Sequence, residues 1–95
     1  MATTDLSAYD KTTIPNSKDL RFGIVVSEWN SKITDNLAKG AIDTLLEHHV
    51  QKENITVWNV PGSFELIYGA AQMAKINEFD AIITIGCVIE GETKH

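Results

Sequence analysis

Cysteine is almost missing from this sequence. Cys87 stands alone, so no disulfide can close within the chain. A single thiol inside an apolar run fits a reducing, intracellular setting. No apolar stretch approaches the ~20 residues that a membrane span needs. The N-terminal stretch MATTDLSAYDKTTIPNSK has no basic region followed by an apolar one, which excludes a secretory signal. The default location is the cytoplasm. Basic residues are outnumbered, 8 Lys and Arg against 13 Asp and Glu, for a net charge of -5. That balance argues against a nucleic-acid partner, which calls for a basic face. No metal-ligand spacing occurs, no nucleophile–base pair is legible, and no glycine-rich dinucleotide fingerprint follows the first apolar run. These absences count against zinc chemistry, nucleotide hydrolysis and hydride transfer. Internal repeats and low-complexity segments are absent too.

What is present fits one small globular domain. The chain has 95 residues, 43% hydrophobic and 22% charged, an ordinary soluble composition with a modest core. Residues 1–19 are polar and without periodicity, and read as a flexible N-terminal arm, extended on a neighbour's surface. Leu20–Val26 is a short β-branched run, predicting a buried strand. From Ile33 the period changes. Ile33, Leu37, Ala41 and Leu45, with Ala38, Ile42 and Leu46 beside them, predict an amphipathic helix to about His49, capped by Asn30 or Ser31. Asn54–Val60 predicts a second strand, with Trp58 in the core. Residues 63–78 return to helical spacing, with a stripe of Phe64, Ile67, Ala71 and Ala74 beside Ala70. Asp80–Gly86 is the third strand. Alternation of this kind specifies an α/β fold with a parallel sheet and right-handed helical crossovers. The strands are nearly continuous in apolar residues, as expected of strands covered on both faces. The third has no helix after it, so the sheet reads as incomplete at its C-terminus.

Parallel strands deliver their following loops to one edge, where open α/β sheets bind ligands. Three loops share that edge here: SEWNSK, VPGSFE and CVIEGETKH. Trp29 is either packed over the helix start or a flat surface for stacking a planar heterocycle. Ser63 has the residue type of an N-cap, and Glu65 suits the first turn through the helix dipole. The unpaired N–H groups of that turn can instead meet ligand carbonyls, with Glu65 accepting ligand N–H bonds. A uracil-like ring offers that alternation. Gly91 permits close backbone approach, Thr93 donates a hydroxyl, and a helix beginning nearby would suit a phosphate. Glu90 and Glu92 oppose an anion unless their carboxylates point away. His95, with an ordinary pKa near ~6.5, can give and take protons at neutral pH. His48 and His49, late in the first helix, read as solvated or as partners of its C-terminus.

Taken in order, VVSEWNSKIT, VPGSFELI and DAIITIGCVIEGETKH resemble the lumazine synthase (6,7-dimethyl-8-ribityllumazine synthase) family, across Leu20 to His95. The resemblance implies a flavodoxin-like three-layer sandwich, residues 20–95 being the N-terminal portion of a single α/β domain. It implies condensation of 5-amino-6-(D-ribitylamino)uracil with 3,4-dihydroxy-2-butanone 4-phosphate to 6,7-dimethyl-8-ribityllumazine, the penultimate step of riboflavin biosynthesis. No metal or organic cofactor is implied. By position, Trp29 stacks on the pyrimidine, and Ser63, Phe64 and Glu65 hydrogen-bond the uracil and ribityl chain. Cys87, Val88 and Ile89 contact the pyrimidine, Glu92 and Thr93 bind phosphate, and His95 transfers protons. Family members self-associate into pentamers or larger shells, with sites between subunits. Position 90, often basic in the family, is Glu here. Family members also continue past the histidine, so the resemblance implies an N-terminal piece of a longer chain, folding poorly and turning over little by itself. Two other readings compete with the enzyme: a non-catalytic shell-forming scaffold or flavin-like ligand binder, and an unrelated flavodoxin-like module.

Overall fold

The computed structural model describes residues 17–90. Their order is β1 (Phe22–Ser27), α1 (Ser31–Glu47), β2 (Ile55–Val60), α2 (Leu66–Ile76) and β3 (Ala81–Ile85), with one 3-10 turn at Lys52–Asn54. The sheet is parallel throughout, in the order β2-β1-β3. Phe22 pairs with Ile55 on one side and Ala81 on the other. This is the order with which a flavodoxin-like doubly wound sheet begins. Residues 1–16 of the expected arm lie outside the described residues. From Ser17 a turn leads into Leu20, and the Ser17 N–H donates to the His48 carbonyl at 3.3 Å.

The central strand sorts its side chains by period two. Ile24 and Val26, both buried, join Ile85 and Ala38 in the core, with Ile55, Ile83, Ala41, Ile42 and Leu45 packed around them. α1 therefore covers this face. Val25 points to the other face, against α2. A β-carbon on Gly69 would lie 2.8 Å from Val25 Cγ1 and 3.2 Å from Val60 Cγ1, so the helix backbone rests directly on the sheet. Met73, one turn further on, is fully buried. Helices on opposite faces are what two crossovers of one hand produce when the chain reverses direction across the sheet.

Both helices are rotated from the stripes that hydropathy suggests. On α1, Thr34 and Ala38 are buried, while Ile33 and Leu37 stand about half exposed. The Thr34 hydroxyl donates to the Ser27 carbonyl at 2.7 Å, and a polar residue turned inward is invisible to an apolar count. On α2 the expected stripe faces outward. Phe64 is 86% and Ile67 73% exposed, Ala71 and Ala74 are exposed as well, and Gly69 and Met73 form the buried face. That helix, LIYGAAQMAKI, is apolar nearly all round, so no polar face orients it. Its backbone meets the sheet at the residue with no side chain. Trp58, expected in the core, is half-buried on β2.

The helix ends have clear causes. α1 stops in a left-handed residue, His49 at φ 74°, with Val50 N–H bonded to Leu45 O at 3.0 Å and His49 N–H to Leu46 O at 3.1 Å. That pair of bonds is a Schellman motif. His48 is half-buried and His49 exposed. Asn77, at φ 56°, closes α2 in the same left-handed conformation.

Candidate active site

The three loops that follow the strands enclose one pocket of about 270 Å³. Trp29 lines it after β1, Gly62 to Glu65 after β2, and Cys87 to Ile89 after β3. It lies at the carboxyl edge of the sheet, where β1 has β2 on one side and β3 on the other. There the strand order reverses, and doubly wound sheets bind ligands.

The first loop is tied down by its backbone. Glu28 N–H donates to Val60 O at 2.7 Å, and Trp29 N–H to Ser27 Oγ at 3.3 Å. Trp29 remains 47% exposed and lines the pocket, so its indole is available to a second ring. Asn30 occupies the N-cap position of α1 in the left-handed region, φ 57°, and its side chain makes no capping bond. Its amide instead reaches Cys87 Sγ at 3.9 Å, a weak acceptor on the opposite loop.

The second loop departs from expectation at Ser63. Its hydroxyl donates to the Cys87 carbonyl at 3.2 Å rather than capping α2. The helix needs no such cap, because a turn precedes it. Glu65 N–H bonds Gly62 O at 3.2 Å, and Leu66 N–H bonds Ser63 O at 3.3 Å. The N–H groups of Gly62, Ser63 and Phe64 donate to no backbone carbonyl among the described residues. The Glu65 carboxylate curls back over Gly62, 3.5 Å from where a β-carbon there would stand. Open donors beside a carboxylate acceptor suit the alternating carbonyl and N–H edge of an amide-type heterocycle.

The third loop begins at Gly86, which has no room for a side chain. A β-carbon there would stand 2.7 Å from Leu66 Cδ1 and 2.9 Å from Ser63 Oγ. This close approach brings the start of α2 against the end of β3. Cys87 is half-buried, while Val88 and Ile89 offer exposed apolar surface. Glu65 and Cys87 are the ionisable side chains among the described lining residues. The structure thus brings Trp29, Ser63, Phe64, Glu65, Cys87, Val88 and Ile89 together at one pocket. Glu92, Thr93 and His95 lie outside the described residues. Sequence reasoning passed over Gly62 and Asn30 as site residues. The Pro-Gly dipeptide signals the first as a turn, and nothing local signals the reach of Asn30 to a residue 57 positions away.

The family model for 6,7-dimethyl-8-ribityllumazine synthase matches residues 19–95. The chain belongs to the lumazine synthase family. A relative from Christiangramia forsetii is 64% identical over 92 residues, which is 96% of this chain and 55% of the relative. One from Flavobacterium johnsoniae is 62% identical over 91 residues, 96% of this chain and 48% of the relative. A third, from Porphyromonas gingivalis, is 57% identical over 91 residues and is covered over 56% of its length. Each is named 6,7-dimethyl-8-ribityllumazine synthase. The chain spans about half the length of the curated relatives it matches. Family membership removes the reading as an unrelated flavodoxin-like module. Among the described residues no helix is long and apolar enough to cross a membrane, and no group of His, Cys, Asp and Glu could hold a metal ion.

Proposed function

We propose that this chain supplies part of a lumazine synthase active site. The reaction is condensation of 5-amino-6-(D-ribitylamino)uracil with 3,4-dihydroxy-2-butanone 4-phosphate to 6,7-dimethyl-8-ribityllumazine. The observation that carries this reading is a pocket in which an indole, a row of open N–H donors and a carboxylate meet. Trp29 stacks on the pyrimidine. The N–H groups of Ser63 and Phe64 bind its carbonyl edge and the ribityl hydroxyls, and Glu65 accepts from ring N–H or ribityl O–H. Cys87, Val88 and Ile89 form the apolar wall behind the ring. Glu92 and Thr93, which follow in the chain, hold the phosphate, and His95 moves protons. The amine of the pyrimidine attacks the ketone carbon and water leaves to give the imine. Loss of a proton from carbon expels phosphate and leaves an enol, which takes up a proton to become a ketone. The second nitrogen attacks that carbonyl and a second water leaves as the ring closes. His95 is suited to protonate the departing oxygen and to accept the proton from carbon. Holding two reactants in contact supplies much of the remaining acceleration.

The pocket is smaller and more open than one that would enclose both substrates, since ligand sites run from about 300 Å³ upwards. Phe64 and Val88, which line it, and Ile67 and Tyr68, further along α2, are all more than two-thirds exposed. Their apolar surface supports self-association, as pentamers or larger shells, with a neighbouring chain completing the site. The setting is the cytoplasm. Mixing both substrates with the protein tests this through the fluorescence of the lumazine product. His95→Ala is expected to slow its appearance about a hundredfold or more. Product formed equally fast by His95→Ala would overturn the assignment of that residue. Tight binding of the ribityl-pyrimidine with no product at all would favour a second reading, a non-catalytic binder. That reading draws on the scarcity of ionisable groups among the described lining residues.

A further inference from the structure

The pocket has a buried polar foundation that its lining does not explain. Ser27 and Thr34 are both fully buried. The pairing of β1 with β3 stops at Val26 opposite Ile85, so the Ser27 carbonyl lies just past the end of that ladder. The Thr34 hydroxyl reaches back seven residues and donates to it at 2.7 Å. Buried carbonyls require a partner, and here a side chain from the first turn of α1 provides one. The same serine has a second bond. Its hydroxyl accepts the Trp29 N–H at 3.3 Å. Ile33 and Thr34 N–H both bond the Asn30 carbonyl, at 2.9 and 3.1 Å, closing the turn from above. A valine would fill the site of Thr34 equally well, so packing alone gives no reason for a hydroxyl there.

We propose that Ser27 and Thr34 are positioning residues that set the height and tilt of the Trp29 ring over the pocket. Neither lines the pocket; both act through the backbone of the loop that bears the indole. This assignment deepens the proposed function and rests on it where ligand binding is concerned. The placement of Trp29 can be read without any ligand.

The test uses the full chain in a Trp58→Phe background, so that Trp29 is the sole fluorophore of its kind. Acrylamide quenching reports the exposure of its ring, and titration with 6,7-dimethyl-8-ribityllumazine reports binding. Thr34→Val is expected to change the quenching constant and to weaken lumazine binding about tenfold. Thr34→Ser, which restores the hydroxyl, should return both to within about twofold of the starting protein. Ser27→Ala removes the acceptor of the Trp29 N–H directly and should alter quenching even if Thr34→Val fails to fold. Ala38→Gly, a buried change further along α1, controls for general loosening and should leave Trp29 quenching unmoved. Unchanged quenching in both Thr34→Val and Ser27→Ala overturns the proposal. So does an equal change in Ala38→Gly. Altered quenching in a protein that binds no lumazine would uphold the positioning role and count against the synthase reading instead.

Discussion

Gly40 and Gly69 offer one substitution in two settings with opposite expected signs. Both lie inside helices, Gly40 in α1 and Gly69 in α2. Glycine in a helix interior costs about 0.5–1 kcal/mol against alanine, because it has more conformational freedom to lose. A β-carbon at Gly40 meets nothing within 4 Å. Gly40→Ala should therefore stabilise by about that amount, or about 4–8 °C in Tm per kcal/mol for a chain of this size. At Gly69 the same helix gain is opposed by contact with Val25 Cγ1 at 2.8 Å and Val60 Cγ1 at 3.2 Å. Both neighbours are stiff, β-branched and set in strands, so relief requires the helix to lift. Overpacking of this kind costs about 1–3 kcal/mol, leaving Gly69→Ala destabilised by up to about 2 kcal/mol. The assay is urea unfolding followed by far-UV circular dichroism. Because among the described residues no strand pairs with the outer edge of β3 and much apolar surface is exposed, trimethylamine N-oxide is added to bring the transition on scale. With a slope of about 1 kcal/mol per molar urea, the two variants should differ in midpoint by about 1 M or more. If Gly69→Ala raised the midpoint as far as Gly40→Ala, α2 would not lie against the sheet as described. The second loop of the pocket would then lose the support that places Ser63 and Glu65.

Other outcomes follow from single residues. Trp29→Ala should weaken binding of the lumazine product about tenfold or more in a fluorescence titration, the scale of one ring stacked on an aromatic side chain. Gly86→Ala should weaken it too, since the new methyl group displaces Ser63 Oγ from the Cys87 carbonyl, and the loss should exceed that of Ser63→Ala. His49→Gly relieves a non-glycine residue held at φ 74° and should raise the urea midpoint by roughly 0.5 M, equivalent to about 0.5 kcal/mol. The Asp43 carboxylate, 2.8 Å away, raises the pKa of Lys39 through a hydrogen bond and charge attraction. A raised lysine pKa gives stabilisation that is complete below the unfolded value of about 10.5 and fades only above it. The difference in stability between wild type and Asp43→Asn should therefore stay flat between about pH 6 and pH 9.

Much of the fold was legible because strands and loops alternate so cleanly. Three β-branched runs, ending at a polar stretch, a Pro-Gly and a lone glycine in turn, fit the strand positions to within a residue or two. What hydropathy misread was rotation. Thr34 counts as polar and Gly69 as nothing, yet these two residues seat the helices, one by a hydroxyl and the other by having no side chain. Ser63 was legible as a helix cap by type. Its hydroxyl went elsewhere because the Cys87 carbonyl competes for it, a contact 24 residues distant that no local pattern encodes. Topology placed the loops that bear Trp29 and Glu65 at one edge, since a parallel sheet delivers both there, but it left open whether either side chain faces a ligand.

The pocket contains few ionisable side chains among its described lining residues. Its polar work is assigned to backbone: open N–H groups at Gly62, Ser63 and Phe64, and a Cys87 carbonyl already held by Ser63. Backbone groups in short loops anchored by the strands carry no side-chain rotamers, so they pay no rotamer entropy to meet a flat ligand. They also carry no net charge, which suits a neutral heterocycle better than an anion. Charge chemistry, in the form of phosphate binding and proton transfer, is then left to residues that follow Ile89, where Thr93 and His95 are proposed to act. The reading divides the site in two: a ring platform built by strand order, and a reacting end supplied by the chain beyond it. A variant of the platform should change affinity first, and a variant of the reacting end should change rate first. Trp29→Ala and His95→Ala compared under single-turnover conditions would show whether that division is real.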